Sequence, residues 1–435
     1  MRQPIILCVD DESMILSELH TQMKRQFDHI AEFEFAESGE EGLRIVNDLM
    51  EDGENLTMII SDQIMPGITG DQFLAEVHQK YPKIIKVLLT GQAALESAVN
   101  AINHANLFRY IIKPWREEDL MLTVHKGMEQ YDLTCTLDAQ LNIFRKFVPK
   151  QFLQRIARDG IININLGKAE SETLAVLFAD IRAFTHLAEG LTPQELLNFL
   201  NEYFEQINEP IHAHQGFIDK FIGDALMALF DVPEGSNTNS ALNAVRSAME
   251  MHLMLHEFNK HRRTSTNTPI QIGVGIHYGP VVIGTVGCKD RMDSTVVGDT
   301  VNIAARLEGL CKMYQAPIVV SAEVVKQLSE QDDFVFRQLD WVRVKGKYAP
   351  TSVYELINLD PVELRKQKKA SEPWIQEGLN LQKQRRWKDA VQSFEKILKI
   401  IPNDPVALLH LRRCQQFQNT ALPEDWDGSF ELEKM

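Results

Sequence analysis

The chain has 435 residues, a formal net charge of −16 and five cysteines, which leaves room for two full domains and smaller pieces. Its acidic balance argues against nucleic acid and against a polybasic membrane contact, since both present phosphates that attract basic surfaces. No apolar run approaches a membrane span and no secretory leader precedes the first apolar run, so the expected location is the cytoplasm. Cys8, Cys135, Cys288, Cys311 and Cys414 lack C-x-x-C spacing and read as small apolar residues in a reducing compartment, without a disulfide frame or a cysteine metal site.

Residues 1–120 alternate apolar runs (PIILCV, FEFA, TMII, IKVLL and FRYII) with segments of helical length. That rhythm predicts a doubly wound α/β sheet with its ligands at the carboxyl ends of the strands. Ser38 with Glu41, and Thr69 with Gln72, stand in capping-box spacing and mark helix starts. The strand ends carry Asp10-Asp11, Asp62, Thr90 and Lys113-Pro114. Carboxylates gathered there suit Mg²⁺, although polar residues at strand ends are routine and Asp10-Asp11 alone carries little weight. The full set resembles the response-regulator receiver domain. That resemblance implies that Asp62 takes a phosphoryl group from a histidine kinase and that Asp10, Asp11 and Asp62 hold Mg²⁺. It further implies that Thr90 and Lys113 bind the phosphoryl oxygens and that Tyr110 is the aromatic switch residue.

Residues 121–167 form a helical connector. Leu120, Val124, Met128 and Tyr131, then Leu137, Leu141, Phe144 and Val148, recur at three- and four-residue steps, with a phase break near Thr134–Thr136. The stripe reads equally as core packing or as a two-stranded dimer coil that passes receiver state onward.

Three stretches dominate residues 168–358: LAVLFADIRAFT, FIDKFIGDALMALF and STVVGDTVNIAARLE. Asp180 follows the buried-strand run Leu174–Phe178, and Asp224 sits at a Gly-Asp turn between the apolar runs Phe217–Ile222 and Ala225–Phe230, a hairpin pattern. Two carboxylates delivered this way fit a pair of divalent cations acting on a triphosphate. Singly each residue is ordinary: Asp180 a helix cap, Asp224 a turn residue, Lys220 a solvated charge, and Arg306 a surface ion pair with Glu308. Together, in order and spacing, the stretches resemble the class III nucleotidyl cyclases.

The resemblance implies a ferredoxin-like domain in which Asp180 and Asp224 bind two Mg²⁺ or Mn²⁺ ions and Lys220 and Thr295 read the purine. Asn302 orients the ribose, Arg306 stabilises the transition state, and Lys345 of V-K-G-K contacts the triphosphate. Backbone amides over Ile181–Thr185, among them Phe184, are expected to receive that triphosphate, a use of unpaired N–H groups at a helix start. Lysine donates but does not accept, so Lys220 suits adenine N1 and mismatches the guanine N1–H; ATP is the expected substrate. Threonine at 295 is the choice of the bicarbonate-responsive adenylate cyclases, which makes bicarbonate an expected effector. The family also implies a homodimer with shared sites: the aspartates and Lys220 come from one subunit, Asn302 and Arg306 from the other. A catalytically silent nucleotide-responsive scaffold and a guanylate cyclase are the alternatives. FIGDAL is not the GGDEF-like hairpin a diguanylate cyclase needs.

Ser371–Pro405 resembles a tetratricopeptide repeat, with Trp374, Gly378, Ala390, Phe394 and Pro402 at the repeat offsets and Leu381 where tyrosine is usual. One repeat within residues 370–418 falls short of a free-standing array. Docking on the rest of the chain or pairing between subunits is therefore expected ahead of a peptide partner. Residues 419–435 form an acidic tail. The His212/His214 pair is a weak metal signal and reads better as a partly exposed helix end. The expected architecture is thus multidomain, α/β followed by α+β, with a helical hairpin at the end.

Overall fold

Five short apolar runs in the first 120 residues become strands β1 (Ile5–Val9), β2 (Glu32–Ala36), β3 (Leu56–Asp62), β4 (Ile85–Thr90) and β5 (Arg109–Ile112). In the computed structural model the described residues are 2–91, 105–149, 151–153, 167, 169–232, 238–261, 269–288, 290–344, 350–418, 422 and 426–432. They fall into two units, 1–147 and 148–435.

In the first unit the strands run in the order β2-β1-β3-β4-β5 and every pair is parallel. β1, β3 and β4 are buried along their whole length, as a parallel sheet covered on both faces requires. Helix α1 (Ser13–Phe27) packs Leu16, Leu19 and Met23 on one face. Helices α2 (Gly39–Glu51) and α3 (Gly70–Lys80) pack Val46, Phe73, Leu74 and Val77 on the other. Ser38 caps α2 by accepting from the Glu41 N–H at 3.3 Å, and Gln72 accepts from the Thr69 N–H at 3.3 Å at the start of α3. Because β1 lies between β2 and β3, the chain reverses direction of growth there, and Asp10 and Asp62 emerge at that switch point.

Helix α4 runs unbroken from Glu117 to Phe147. Its first half is core, with Leu120 and Val124 fully buried and Met128 and Tyr131 packed beside them. Its second half leaves Leu133, Leu137, Leu141, Phe144 and Phe147 exposed within this unit. Core packing thus holds for the first half of the helix, and the second half is free of that core. The phase change near Thr134 does not break it: the Thr134 hydroxyl donates to the Gln130 carbonyl at 2.8 Å, the back-bond that lets threonine sit inside a helix. Connector residues 150 and 154–166 lie outside the described residues.

The second unit is built on strands β6 (Ala169–Ile181), β7 (Gly216–Ile222), β8 (Ala225–Phe230), β9 (Ile272–Cys288), β10 (Arg291–Val297), β11 (Ile318–Ser321), β12 (Phe336–Val344), β13 (Thr351–Leu356) and β14 (Phe430–Leu432). They run in the order β14-β12-β13-β11-β9-β6-β8-β7, with β10 folded onto β9. Helices α5 (Phe184–Ala188), α6 (Pro193–Ala213), α7 (Ser240–His261) and α8 (Asp299–Tyr314) complete the domain.

Alternation along β6 divides the core, since successive strand side chains point to opposite faces. Ala175, Leu177, Ala179 and Ile181 meet Tyr203 and Ile207 of α6 and Val245 and Met251 of α7. Leu174 and Val176 pack with Met227, Leu229 and Ala304 on the other face. There Gly275 lets α8 press onto β9: a Cβ at that position would stand 2.1 Å from the Glu308 nitrogen.

Helices α9 (Val362–Lys383), α10 (Trp387–Ile400) and α11 (Pro405–Gln418) follow. Gly378 accommodates the Phe394 ring, and Ala390 and Phe394 are fully buried. These helices share one core with the preceding sheet domain: Ile375, Phe394, Ile397 and Val406 pack with Leu307, Leu310 and Tyr314 of α8 and with Leu339 and Val353 of the sheet. The expected docking is thus observed. A buried charge network accompanies it. Arg337 pairs with Glu355 at 3.1 Å and Asp404 at 2.8 Å, and Lys368 pairs with Glu355 and Asp360, each at 2.9 Å.

No helix among the described residues is long and apolar enough to cross a membrane. Cys8, Cys311 and Cys414 are buried as expected, whereas Cys288 is exposed, at the end of β9 where it turns into β10. His214 ends α6 and bonds Glu250 at 2.7 Å, an ordinary helix-end contact.

Candidate active site

Strand β6 ends in the acidic and basic groups of DIR. Asp180 closes the strand, and Ala183, in the left-handed region at φ 55°, turns the chain into α5. The β7–β8 hairpin tip has Gly223 at φ 66°, a backbone state glycine adopts without strain, with Asp224 beside it. Asp180 and Asp224 line one cavity of about 1180 Å³ together with Ile181, Phe184 and Thr185. Asp180 is pushed up to about 7 by burial first, then by the neighbouring Asp224 carboxyl and by Glu308, with Arg182 opposing. Two neighbouring carboxylates are accommodated by sharing a proton or a cation, and an all-oxygen pair lining a cavity fits hard divalent ions.

Sequence reasoning passed over Arg182 and His252 here, and gave Glu308 only the plain role of an ion-pair partner for Arg306. Arg182 lines the cavity and pairs with Glu308 at 3.2 Å. Glu308 is itself raised by burial, with Arg182 pulling it back. His252 lines the same cavity, and burial lowers it to about 4, so the ring is neutral. Proximity to Asp180 within DIR was the available signal for Arg182. Glu308 stood within STVVGDTVNIAARLE, whereas His252 left no signal, because it arrives from a distant helix.

Lys220 and Thr295 come together as a separate pair. The Lys220 Nζ donates to the Thr295 hydroxyl at 2.6 Å, joining β7 to β10. Neither residue lines the aspartate cavity. Asn302 and Arg306 stand one helical turn apart on α8, Asn302 exposed and Arg306 half-buried, and also outside that cavity lining. Thr295 lies on β10, which leads directly into α8, so the Lys220–Thr295 bond links the β7–β8 hairpin that carries Asp224 to the strand that precedes Asn302 and Arg306. Lys345 lies outside the described residues.

In the first unit, Lys113 bridges Asp10 at 2.7 Å and Asp62 at 2.5 Å. Burial raises the Asp10 carboxyl, opposed by Lys113. Burial works against the Lys113 charge, but the two carboxylates together hold its pKa above the ordinary value. The Glu12 N–H donates to Asp10 and the Ile64 N–H to Asp62. Thr90 is buried at the end of β4, while Asp11 and Tyr110 are exposed. Among the described residues no three histidine, cysteine or acidic side chains form a ready metal cluster. Asp10 and Asp62 converge on Lys113, and Asp11 stands outward.

Residues 166–358 match the family described as Adenylate and Guanylate cyclase catalytic domain, and residues 6–125 match the Response regulator receiver domain. An adenylate cyclase of Anabaena cylindrica is 44% identical over 225 residues, 51% of this chain and 44% of that protein. The terminal-differentiation-specific adenylate cyclase of Dictyostelium discoideum is 38% identical over 278 residues, 63% of this chain and 13% of that protein. Adenylate cyclase 1 of Rhizobium meliloti (strain 1021) is 35% identical over 218 residues, 50% of this chain and 32% of that protein. The chain spans less than half the length of each of these relatives. It carries a response regulator receiver domain followed by an adenylate and guanylate cyclase catalytic domain.

Proposed function

We propose that the chain is an adenylate cyclase that converts ATP to 3′,5′-cyclic AMP and pyrophosphate under control of phosphorylation at Asp62. The observation that carries this reading is the Asp180–Asp224 carboxylate pair in a cavity lined by Ile181, Phe184 and Thr185. Two Mg²⁺ or Mn²⁺ ions bound by that pair would offset the triphosphate charge and stabilise the attacking and leaving oxygens of an in-line displacement. The Lys220 ammonium donates to adenine N1 while Thr295 holds it in place. Asn302 orients the ribose, and the Arg306 guanidinium meets the charge that builds on the equatorial oxygens, so it acts chiefly on the transition state.

The aspartates and the α8 residues serve different halves of a site shared between two copies. Exposed Phe221, Ile222, Met292 and Val297 flank the purine pair and α8 and supply the apolar surface that such a pairing would cover. The exposed half of α4 suits a coil between the same two copies. In the receiver, the bridged Asp10–Lys113–Asp62 group supports Asp62 as phosphoryl acceptor, with Mg²⁺ held by Asp10, Asp11 and Asp62. The tetratricopeptide-like helices serve as a structural brace, given the core they share with α8.

The test uses the purified full chain with ATP and Mg²⁺, before and after treatment with a small phosphodonor. Cyclic AMP and pyrophosphate should appear in equal amounts, acid-labile phosphate should enter the protein, and turnover should change by about 5–150-fold, the usual span of a regulatory coupling. Asp62→Asn should remove both the label and the change in turnover. Labelling of that variant at the wild-type level would contradict the assignment of Asp62.

A further inference from the structure

We propose that Asp219 is a positioning residue that aims Lys220 at the purine and so sets both ATP affinity and the preference for ATP over GTP. This inference rests on the cyclase reading above. Strands β7 and β8 pair in antiparallel register until Ile218↔Ala228, then resume at Lys220↔Met227. Asp219 is the residue left over, and the strand bulges there. In a regular strand Asp219 and Lys220 would point to opposite faces. The bulge re-aims one of them, and the Asp219 Oδ2 lies 3.4 Å from the Lys220 Nζ.

The Asp219 side chain has no solvent exposure, and among the described residues neither of its oxygens has a hydrogen-bond partner. A carboxylate is costly to bury in that condition. A strand-surface aspartate with only a structural role would turn its oxygens to water. Burial pushes the group up to about 6, Lys220 pulls it back, and the charge of Asp293 adds to the rise. Lys220 is the cation facing it. Of the three ammonium protons, one goes to Thr295 at 2.6 Å and one faces Asp219. The third is left for an acceptor on the base. Two fixed neighbours on two strands turn a flexible lysine into a directed donor, and adenine N1 accepts where guanine N1–H does not.

The experiment compares the full-length wild type with Asp219→Asn for ATP KM, kcat, the cyclic AMP to cyclic GMP ratio from mixed ATP and GTP, and the thermal midpoint. A charge-assisted contact corresponds to roughly tenfold in binding. The expected result is therefore an ATP KM about tenfold higher, a comparable fall in the product ratio, and kcat and midpoint near wild type. Unchanged KM and product ratio, with cyclic AMP still produced, would overturn the inference while leaving the cyclase reading intact. No cyclic nucleotide from the wild type overturns both. Should the asparagine variant unfold, Asp219→Glu, which moves the carboxylate outward, decides: shifts of KM and ratio in the same direction uphold the role, and wild-type values overturn it.

Discussion

Mixing an Asp180→Ala variant with an Arg306→Ala variant is expected to restore cyclic AMP production well above that of either parent. Each parent is expected to retain about one thousandth of wild-type turnover, the scale of losing a guanidinium or a charge-holding carboxylate at a phosphoryl transition state. The structure explains why the two should complement. Asp180 lines the cavity with Asp224, whereas Arg306 sits on α8 outside that lining. If the halves meet only across two copies, a mixed dimer has one doubly damaged site and one intact site. With free exchange half the dimers are mixed, so the mixture should reach about one quarter of the wild-type rate. Cyclic AMP formation is read after subunit exchange at several mixing ratios. Activity that never exceeds the better parent contradicts a shared site.

Arg337→Met is expected to cause the largest loss of stability in the second unit. Arg337 is fully buried between β12, β13 and the start of α11, within reach of Glu355 and Asp404, which are 2% and 0% exposed. Methionine approximates the stem but leaves two buried carboxylates short of one cation. Removing one member of a buried ionic group costs about 3–5 kcal/mol, because the remaining charge is uncompensated. Lys368 still serves Glu355, and the Ala407 N–H still donates to Asp404 at 2.8 Å, which places the expected cost nearer the lower figure. For a domain of this size that is a fall of about 10 °C in thermal midpoint. Because Asp404 begins α11, the helices α9 to α11 should loosen from the sheet together with the loss. Calorimetry of the full chain reads it, and a midpoint within about 2 °C of wild type would contradict this account of the network.

Much of the site was legible because its residues cluster in short runs. Asp180, Lys220, Asp224, Thr295, Asn302 and Arg306 stand in three stretches, and each stretch is one turn, hairpin or helix start. The central strands β1, β3 and β4 of the first unit were legible because both faces of a parallel sheet are buried there, which writes an unbroken apolar run. Other features depend on register or on long-range contact. The burial of Asp219 follows from a one-residue slip between β7 and β8, which no local pattern announces. Arg337, Glu355 and Asp404 look like surface charges until β12, β13 and α11 are brought together. The link between Lys220 and the strand that feeds α8 came from its bond to Thr295, a contact across 75 residues. The phase break in the apolar stripe of helix α4 has its cause in such contacts, because one half of the helix faces the receiver core and the other half leaves it.

The most direct measurement supplies the purified full chain with equal ATP and GTP in the presence of Mn²⁺ and quantifies both cyclic nucleotides. Hydrogen-bond discrimination at one purine edge is worth roughly 10⁴-fold when the mismatch leaves a buried group unpaired. The account therefore predicts cyclic AMP as the product, with cyclic GMP at trace level. Cyclic GMP in comparable amount would contradict the Lys220–Thr295 reading, and ATP left uncyclised, with the receiver phosphorylated or not, would contradict the enzyme itself.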